Sequence, residues 1–389
     1  MHASSLRIER LDSMSRVRAD QWDALVRGGD PFIAHAFLLA LENEGAVGEE
    51  WGWYPRHLTA WREDRLVGAI PCYGKTNSYG ELVFDWAWAD AYHRHGLRYY
   101  PKLVSAVPYT PASGQRLLLA AGEDADAVAH ALMDTLVSDA REAGFSSIHV
   151  LFPHEAESDA WVERGFFSRQ GVQFHWRNPG DWRDFDDYLA ALTSKKRKNI
   201  RRERRLVSEA GVRLEVRHGD EMDDAHWSWL HRFYRSTFER KSGHATLSEG
   251  FFREVGRTMP RSIVVVLAYR GDSEQAAPLA ASVMFRSDDT LYGRHWGCLE
   301  HVDGLHFEAC YYQGLEYCLR EGLTRFEPGA QGEFKISRGF LPSTTWSTHW
   351  MADRRFHDLI ARHVHDEAGM MEDYKDELSA HSPFREIEP

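Results

Sequence analysis

The sequence is poor in cysteine and lacks any long apolar run. Its 389 residues include four cysteines, which form no Cys-x-x-Cys pair and show no spacing typical of a disulfide framework. We therefore expect reduced thiols and a cytoplasmic protein. No stretch approaches the roughly eighteen apolar residues of a membrane span, and residues 1–14 contain no apolar core of signal-peptide length.

Net positive charge is also absent. The formal charge of −12 at pH 7 argues against general adhesion to nucleic acid or anionic membranes, so a polyanionic partner would have to meet a local basic patch. Nucleophile motifs are missing as well, since the chain contains neither a Gly-x-Ser-x-Gly elbow nor a Cys/His signature. This absence agrees with a reaction that needs no covalent intermediate.

What the chain does contain is two halves with a similar order of elements. In each half, strands lead to a helix and a closing strand, with helices expected at 125–143 and 305–321 and closing strands at 147–152 and 324–327. This order predicts an α/β fold of two units with mixed sheets. The break at Asn178-Pro179-Gly180 favours an N-terminal domain over residues 1–176 and a C-terminal domain over residues 177–389.

The most informative segment is the glycine-rich loop at residues 329–340, which follows the second closing strand. It carries Gln331, Glu333 and Lys335 among glycines that permit unusual backbone conformations and close approaches. A carboxylate and an ammonium two residues apart could serve acid–base catalysis and stabilise developing negative charge. The alternative is a solvated ion pair on a connecting loop.

A run of positive charge occupies residues 195–205, within a helix predicted over 194–210. Helical spacing gathers its cations into stripes, and this clustering favours a phosphate-bearing partner such as tRNA, a nucleotide or coenzyme A. The predicted phosphate ligands are Lys195, Lys196, Arg197 and Arg201. The alternative is a solvated helix face balanced by the acids at positions 184, 186 and 187.

Further candidates lie around the start of the second-half helix. Either His306 or Glu308 could take the proton from an attacking amine, although Glu308 could simply be stabilised by the helix dipole. On the preceding strand, alternation predicts one face for Tyr292, Arg294 and Trp296 and the opposite face for Gly293 and His295. Substrate-binding candidates from this strand are Tyr292, Arg294, His295 and Trp296.

The first half supplies a polar–aromatic cluster that could line an opposing wall, with Tyr100, Lys102 and Tyr109 as substrate-binding candidates. An aromatic packing layer is the alternative. The spacing of His295, Cys298 and His301 could suggest a metal, but the sequence has no paired motif of the structural zinc type. We therefore predict no metal site.

Segments from about residue 27 to residue 385 resemble the bacterial FemAB-like proteins, described as predicted N-acyltransferases or peptidoglycan biosynthesis/recognition proteins. The matching segments are Tyr79-Gly80-Glu81, Tyr99-Tyr100-Pro101-Lys102-Leu103, Gln173-Phe174-His175-Trp176, Lys195-Lys196-Arg197-Lys198, Leu291-Tyr292-Gly293-Arg294, Leu305-His306-Phe307-Glu308, Cys310-Tyr311-Tyr312-Gln313-Gly314 and Gly329-Ala330-Gln331-Gly332-Glu333. More remotely, Phe334-Lys335 and Arg338-Gly339-Phe340 are similar to the Phe-Lys-x-x-Phe-Gly stretch of peptidoglycan aminoacyltransferases, with the last two residues in reversed order.

This resemblance implies tandem GNAT-like domains and transfer from aminoacyl-tRNA to an amine of a cell-wall precursor. It also implies that Lys335 stabilises the charge of the tetrahedral intermediate, with Arg338 nearby as a substrate-binding candidate. Acetyl-coenzyme A enzymes of the GNAT fold carry an Arg/Gln-x-x-Gly-x-Gly/Ala loop whose amides bind pyrophosphate. Neither 297–305 nor 86–96 contains this loop, which favours aminoacyl-tRNA or another carrier.

Together these observations predict a cytoplasmic N-acyltransferase in which an amine attacks an activated acyl carbonyl. Glu333 or Glu308, or less favourably His306, accepts the amine proton, and Lys335 stabilises the oxyanion. We expect no bound cofactor, because the donor, aminoacyl-tRNA or acyl-coenzyme A, is a cosubstrate. One alternative is a non-catalytic module of degenerate acyltransferase fold that recognises a peptidoglycan precursor or nucleic acid. Another is an acyl-coenzyme A-dependent N-acetyltransferase.

Overall fold

A computed structural model describes residues 5–122, 124–240, 243–271, 273, 276–330 and 332–385. The chain forms two compact units. The first unit comprises Met1–Val172 and Thr344–Asp373, and the second unit comprises Gln173–Ser343 and Tyr374–Pro389. The expected division after residue 176 differs from these units, because the chain returns to the first unit at Thr344, where a late strand pairs with a strand of that unit.

The strands are β1 (Leu6–Leu11), β2 (Trp53–Pro55), β3 (His57–Arg62), β4 (Arg65–Ile70), β5 (Tyr73–Lys75), β6 (Lys102–Ser105), β7 (Leu118–Leu119), β8 (Ser147–Leu151), β9 (Phe167–Arg177), β10 (Val212–His218), β11 (Ile263–Arg270), β12 (Pro278–Arg286), β13 (Thr290–Cys298), β14 (Arg325–Glu327) and β15 (Leu341–Met351).

The helices are α1 (Ala19–Asp23), α2 (His35–Asn43), α3 (Trp86–Arg94), α4 (Ala125–Glu142), α5 (Glu155–Glu163), α6 (Phe185–Ala191), α7 (Ser194–Glu209), α8 (Asp224–Arg240), α9 (Glu249–Thr258), α10 (Leu305–Phe307), α11 (Gln313–Glu321) and α12 (Arg354–Ser379). Short 3₁₀ turns occupy Met14–Arg16, Gly219–Glu221 and Glu333–Arg338, and a π-helical turn occupies Glu308–Tyr312. Among the described residues, no helix combines the length and the apolar character that crossing a bilayer requires.

The first unit contains a sheet of order β1-β3-β4-β7 and a second run of neighbouring strands in the order β15-β8-β6-β5-β2. Helix α4 packs on the β3–β4 hairpin, where Val128 and Leu132 lie against Gly68. A Cβ atom at Gly68 would meet the Val128 side chain, so glycine allows this close approach. The expected helix and strand at 125–143 and 147–152 are confirmed as α4 and β8.

The second unit contains strands in the order β10-β11-β12-β13-β14-β9, with β13 and β14 parallel and the other pairs in this run antiparallel. The expected helix over 305–321 is confirmed as α10, the π-helical turn and α11 in succession, ending before Gly322 at φ +70°. Its apolar side, including Leu315, packs against Leu291, Phe326 and Trp176 of the sheet. These contacts fix the helix across the strands that carry the candidate site.

The pairing of strands β13 and β14 is short. Their parallel register covers three residue pairs and ends where Tyr292 lies opposite Glu327. Beyond that point β13 continues to Cys298, whereas β14 ends and the chain turns at Pro328 and Gly329. The turn stays close to β13, because a Cβ atom at Gly293 would lie 3.1 Å from the Cα atom of Pro328. The loop that the sequence singled out therefore begins beside β13.

A β-bulge on the opposite edge of β13 overturns the expected alternation of its side chains. Met284 of β12 pairs with Gly293 and Val283 pairs with His295, so Arg294 is the extra residue. Consequently Trp296 packs on the helix α11 side with the second-unit core. The His295 ring instead packs on Tyr234 of α8, with ring centroids 4.8 Å apart. The prediction that Tyr292, Arg294 and Trp296 share one face is therefore wrong.

Candidate functional site

Lys335 is buried in the loop that follows β14. Its side chain lies on the 3₁₀ turn Glu333–Arg338, and the residue is 2% exposed. The ammonium donates a hydrogen bond to the carbonyl oxygen of Gly329 at 2.7 Å, across a turn in which Gly329 and Gly332 have φ of +99° and +114°. Burial lowers the pKa of Lys335 to about 8, against a smaller opposing effect of Cys310. A cation with this pKa can both stabilise an oxyanion and give up a proton near neutral pH.

Cys310 approaches Lys335 from the π-helical turn. Such turns arise inside α-helices and are frequent at functional sites. Burial raises the pKa of Cys310 to about 12, against a smaller opposing effect of a hydrogen bond with Ser282. The thiol is therefore protonated and unsuited to act as a nucleophile. All four cysteines lie in the described residues, and none of them forms a disulfide.

Glu327 and His175 form a buried polar pair that sequence reasoning did not assign a role. The Nδ1 atom of His175 lies 4.0 Å from Oε1 of Glu327, and its Nε2 atom lies 3.2 Å from Oε1 of Gln173. Burial lowers the pKa of His175 to about 3, helped by the nearby positive charges, so the imidazole is neutral. The position of Glu327, directly before the Pro-Gly turn that opens the loop, was the sequence signal available.

Glu308 is held by ion pairing and hydrogen bonding. Arg204 of α7 donates to both of its carboxylate oxygens at 3.0 Å, and Gln313 donates to one of them at 2.8 Å. The same guanidinium reaches Glu316 at 2.7 Å. Because both oxygens already accept hydrogen bonds from the protein, this geometry argues against Glu308 as the group that takes the amine proton. It anchors the π-helical turn to α7.

Arg338 likewise directs its donors into the protein. Its guanidinium binds both carboxylate oxygens of Glu203 on α7, at 2.8 and 2.9 Å, and donates to the hydroxyl of Tyr312 at 3.0 Å. The guanidinium carbon also lies 3.5 Å from the centre of the Phe307 ring. These contacts tie the turn of Lys335 to α7 and to the π-helical turn. They give Arg338 a positioning role.

The remaining second-half candidates are more scattered. Glu333 is exposed and accepts a hydrogen bond from Tyr374 at 2.7 Å. His306 lies among aromatic rings, 5.5 Å from Trp296 by ring centroids. Gln331 falls outside the described residues. Within the described chain no group of three metal-ligating side chains is close enough to hold a metal ion.

Arg294, the bulge residue, is partly buried near Tyr234. Burial lowers its pKa to about 10, against a smaller opposing effect of that tyrosine. A guanidinium in such surroundings is weakly solvated, so it can interact strongly with an anionic group of a ligand.

Helix α7 presents a cationic surface at its N-terminal end. Lys195 and Arg201 are exposed, and Lys196 and Arg197 are partly exposed. Of the acids expected to balance this run, Asp184 caps α6 and Asp187 pairs with Arg183. Asp186 lies 3.8 Å from Arg201, and both side chains are exposed, so this pair stabilises little. The helix N-terminus adds a partial positive charge, and the whole favours an anionic partner.

The first-half candidates belong to an internal network of the first unit. Lys102 is fully buried, and its ammonium donates to Ser78 at 2.9 Å, to Glu81 at 2.8 Å and to Asp85. The hydroxyl of Tyr100 shares a hydrogen bond with the Ser78 hydroxyl at 2.8 Å. The hydroxyl of Tyr109 donates to the carbonyl oxygen of Ala46 at 2.8 Å. The network accounts for these polar groups within the protein itself.

Comparison with known proteins identifies one family. The model of the FemAB-like family, described as peptidoglycan biosynthesis/recognition, matches residues 13–386. A sequence search of curated proteins finds no match.

Solved structures show the same fold at low sequence identity. The structure of FemX aligns with a TM-score of 0.55 at 12% identity, covering 91% of this chain and 100% of FemX. The C-terminal domain of a protein described as a lysylphosphatidylglycerol synthetase, from Agrobacterium fabrum, aligns with a TM-score of 0.55 at 10% identity, covering 89% and 96%. A tandem GNAT protein from the clavulanic acid biosynthesis pathway aligns with a TM-score of 0.46 at 12% identity, covering 90% and 99%. The expected α/β fold of two units with mixed sheets is confirmed, and FemX shares this fold.

Proposed function

We propose that this chain, which belongs to the FemAB-like family of peptidoglycan biosynthesis/recognition proteins, is an N-acyltransferase. It transfers an aminoacyl or acyl group from an activated carrier to an amine. The observation that carries this proposal is the buried ammonium of Lys335, which is held against the Gly329 turn directly after β14.

The reaction needs an amine lone pair, an activated carbonyl and a positive charge where the oxyanion forms. Lys335 supplies that charge, in surroundings of low exposure where a cation stabilises an anion more strongly than in water. Its hydrogen bond to Gly329 and the clamp of Arg338 on Glu203 fix the turn that carries it. No covalent enzyme intermediate is required, because a neutral amine attacks an ester or thioester directly.

The proposed donor is aminoacyl-tRNA. Its phosphates would contact the exposed cations of α7, with Lys195, Lys196, Arg197 and Arg201 as ligands. The pyrophosphate-binding loop of acetyl-coenzyme A enzymes is absent from residues 86–96 and 297–305, which argues against acetyl-coenzyme A as the donor. The proposed acceptor is an amine-bearing cell-wall precursor, in keeping with the family's description. A cytoplasmic location would bring the protein together with charged tRNA.

The test incubates the purified protein with tRNA charged with isotope-labelled amino acids and a soluble peptidoglycan precursor that carries a free amino group. Acetyl-coenzyme A replaces the charged tRNA in a parallel reaction, and mass spectrometry detects the modified acceptor. We expect label on the amine, lost after ribonuclease treatment. Labelling from acetyl-coenzyme A alone would overturn the assignment of aminoacyl-tRNA as the donor. Binding of the precursor without transfer from either donor would favour the non-catalytic module.

A matched pair of variants ties the activity to the site. Lys335→Met should lower turnover about 10²–10³-fold, as expected for loss of one oxyanion-stabilising donor. The control Arg257→Met removes an exposed cation that pairs with Glu254 on α9, and its turnover should be unchanged. Full turnover by Lys335→Met would remove this residue from the mechanism.

A further inference from the structure

A short loop of the first unit inverts the usual distribution of apolar and charged side chains. Leu82, Phe84 and Trp86 are 38%, 54% and 61% exposed, whereas the neighbouring Glu81 and Asp85 are buried. Protein surfaces normally show the opposite pattern, because a buried carboxylate must be paired and an exposed aromatic ring gains no stability from burial. We call Leu82, Phe84 and Trp86 the apolar loop.

Cations of the first unit hold the apolar loop in place from beneath. The Lys102 ammonium donates to the carboxylate of Glu81 at 2.8 Å and to that of Asp85. Arg169 donates to the backbone carbonyl oxygen of Phe84 at 2.8 Å. The loop is therefore preformed, and a partner that binds its exposed side chains does not have to order the backbone first.

The backbone of the apolar loop is also strained. Leu82 has φ of +63°, in the left-handed region that residues other than glycine rarely adopt. The rings of Phe84 and Trp86 lie together, with centroids 5.1 Å apart, so they form one apolar surface. Strain of this kind persists where the surrounding structure imposes it, and it is concentrated at functional sites. The strain at Leu82 therefore points to a function for the side chains that the loop exposes.

A cationic cavity lies in the same unit, at the far end of helix α3. It has a volume of about 370 Å³, and its wall includes Arg98, Arg141 and Tyr92. Both arginines are exposed, and among the described residues neither pairs with a carboxylate. The hydroxyl of Tyr92 is buried and has no hydrogen-bond partner in the described part of the chain. Two guanidinium groups and an unsatisfied donor suit an oxyanion such as a phosphate.

The acids beside the cavity are already paired. Asp353 of its wall pairs with Arg355 at 2.9 Å, and Asp90 of α3 pairs with Arg94. The positive charge of the two cavity arginines is therefore retained, although the chain as a whole has a formal charge of −12. A local surface of this kind lets an acidic protein bind an anionic partner.

The distance between the apolar loop and the cavity matches the dimensions of a lipid leaflet. Trp86 begins α3 and Tyr92 lies six residues further along it, which is about 9 Å at 1.5 Å per residue. The polar layer on each side of a bilayer is about 5–8 Å thick. With the apolar loop at the boundary of the acyl chains, α3 can bring the cavity to the level of the lipid phosphates.

We propose that the first unit docks on the surface of a membrane that contains anionic phospholipids. The apolar loop enters the boundary between headgroups and acyl chains, and Arg98 and Arg141 bind a lipid phosphate at the cavity. A spanning helix is not needed, because surface docking depends on a few apolar side chains and on the attraction between cations and anionic lipids. This inference goes beyond the proposed acyl transfer and does not rest on it.

A second copy of this chain is the competing occupant of the apolar loop. In an isologous dimer the same surface of both copies meets at one interface. The unpaired arginines of both copies would then approach each other, and like charges at an interface disfavour association. Charge therefore favours an anionic membrane over self-association.

The experiment measures sedimentation of the full chain with sucrose-loaded vesicles, made of phosphatidylcholine alone or of phosphatidylcholine and phosphatidylglycerol in equal parts. We expect binding to the mixed vesicles. Replacing both Phe84 and Trp86 by serine should weaken this binding about 10–100-fold, because each ring still has more than half of its surface to remove from water. The matched control replaces Leu359 and Met370 of α12, which are 52% and 61% exposed, by serine and should bind as the unsubstituted protein does.

The arginines are tested by changing the charge of the vesicles. Arg98→Gln and Arg141→Gln should each weaken binding to the mixed vesicles about fivefold, as expected for one cation near an anionic surface. Their binding to phosphatidylcholine vesicles should be unchanged. The control Arg257→Gln, on an exposed arginine of α9 in the second unit, should change neither.

Two results would overturn the proposal directly: no binding to either kind of vesicle, or an equal loss in the loop variant and its control. Sedimentation equilibrium without lipid tests the competing occupant. A dimer that becomes a monomer when Phe84 and Trp86 are replaced would assign the apolar loop to self-association instead. None of these measurements uses an acyl donor or acceptor, so failure of the proposed function and failure of this inference are separate outcomes.

Discussion

Replacing Lys335 by methionine should stabilise the protein while it removes activity. The lysine is 2% exposed, and burial lowers its pKa from 10.5 to about 8. At pH 7 the folded state therefore carries a charge that burial disfavours, at a cost of roughly 3 kcal/mol at 1.36 kcal/mol per pKa unit. Methionine fills similar space without the charge, but it leaves the Gly329 carbonyl without its donor, at a cost of about 1 kcal/mol. The expected net gain is about 2 kcal/mol.

The pH dependence of this gain is its signature. Between about pH 8 and pH 10.5 the unfolded chain holds the proton of Lys335 and the folded chain does not, so the lysine form becomes more stable as pH rises. The advantage of Lys335→Met should therefore be greatest below pH 8 and should shrink by about 2 kcal/mol between pH 7 and pH 9.5.

Equilibrium urea denaturation, followed by tryptophan fluorescence, measures the difference between the two proteins at each pH. The control Lys198→Met removes an exposed lysine of α7 and should change stability little at any pH. A Lys335→Met variant that is less stable than the lysine form, by the same amount at pH 7 and pH 9.5, would refute the reasoning from burial.

Two further predictions concern the rest of the second unit. Gly297→Ala should destabilise the protein by more than about 2 kcal/mol, because a Cβ atom there would collide with the backbone of Phe233 on α8. The control Gly369→Ala on α12 meets open space and should raise the free energy of unfolding by about 0.5–1 kcal/mol. Thermal unfolding measures both variants. Replacing Arg197 and Arg201 by glutamate should weaken the binding of tRNA without an attached amino acid, and the binding should depend less on salt, as measured by fluorescence anisotropy. If binding by the unsubstituted protein does not vary with salt, a phosphate site on α7 is contradicted.

Local sequence signals predicted the elements whose periodicity is long and whose ends are marked. Helix α4 and the helix over 305–321 both end before a glycine in the left-handed region, at Gly144 and Gly322. The cationic helix was also predicted to within one residue of its end, as α7. Their apolar faces and end signals lie within the segment itself, so no knowledge of distant partners was needed.

Long-range pairing decided what the sequence could not predict. The segment before α3 is one example, because Glu81 and Asp85 turn inward to bind the distant Lys102 and α3 begins at Trp86. The bulge at Arg294 depends on the register with β12. At the candidate site, Lys335 lies in the loop that the sequence singled out, whereas the partners of Glu308 and Arg338 lie more than a hundred residues earlier in the chain.

Two adjacent residues of α7, Glu203 and Arg204, fix the position of this helix relative to the candidate site. Glu203 pairs with Arg338 of the turn that carries Lys335, and Arg204 pairs with Glu308 of the π-helical turn. Arg197 lies six residues earlier on the same rod, which at 1.5 Å per residue is about 9 Å along its axis. Inserting a single residue between Arg197 and Glu203 would rotate the cations at the start of α7 by about 100° around the helix axis. Under the proposed function, this geometry would hold the phosphate backbone of the donor at a fixed distance and angle from its reactive ester.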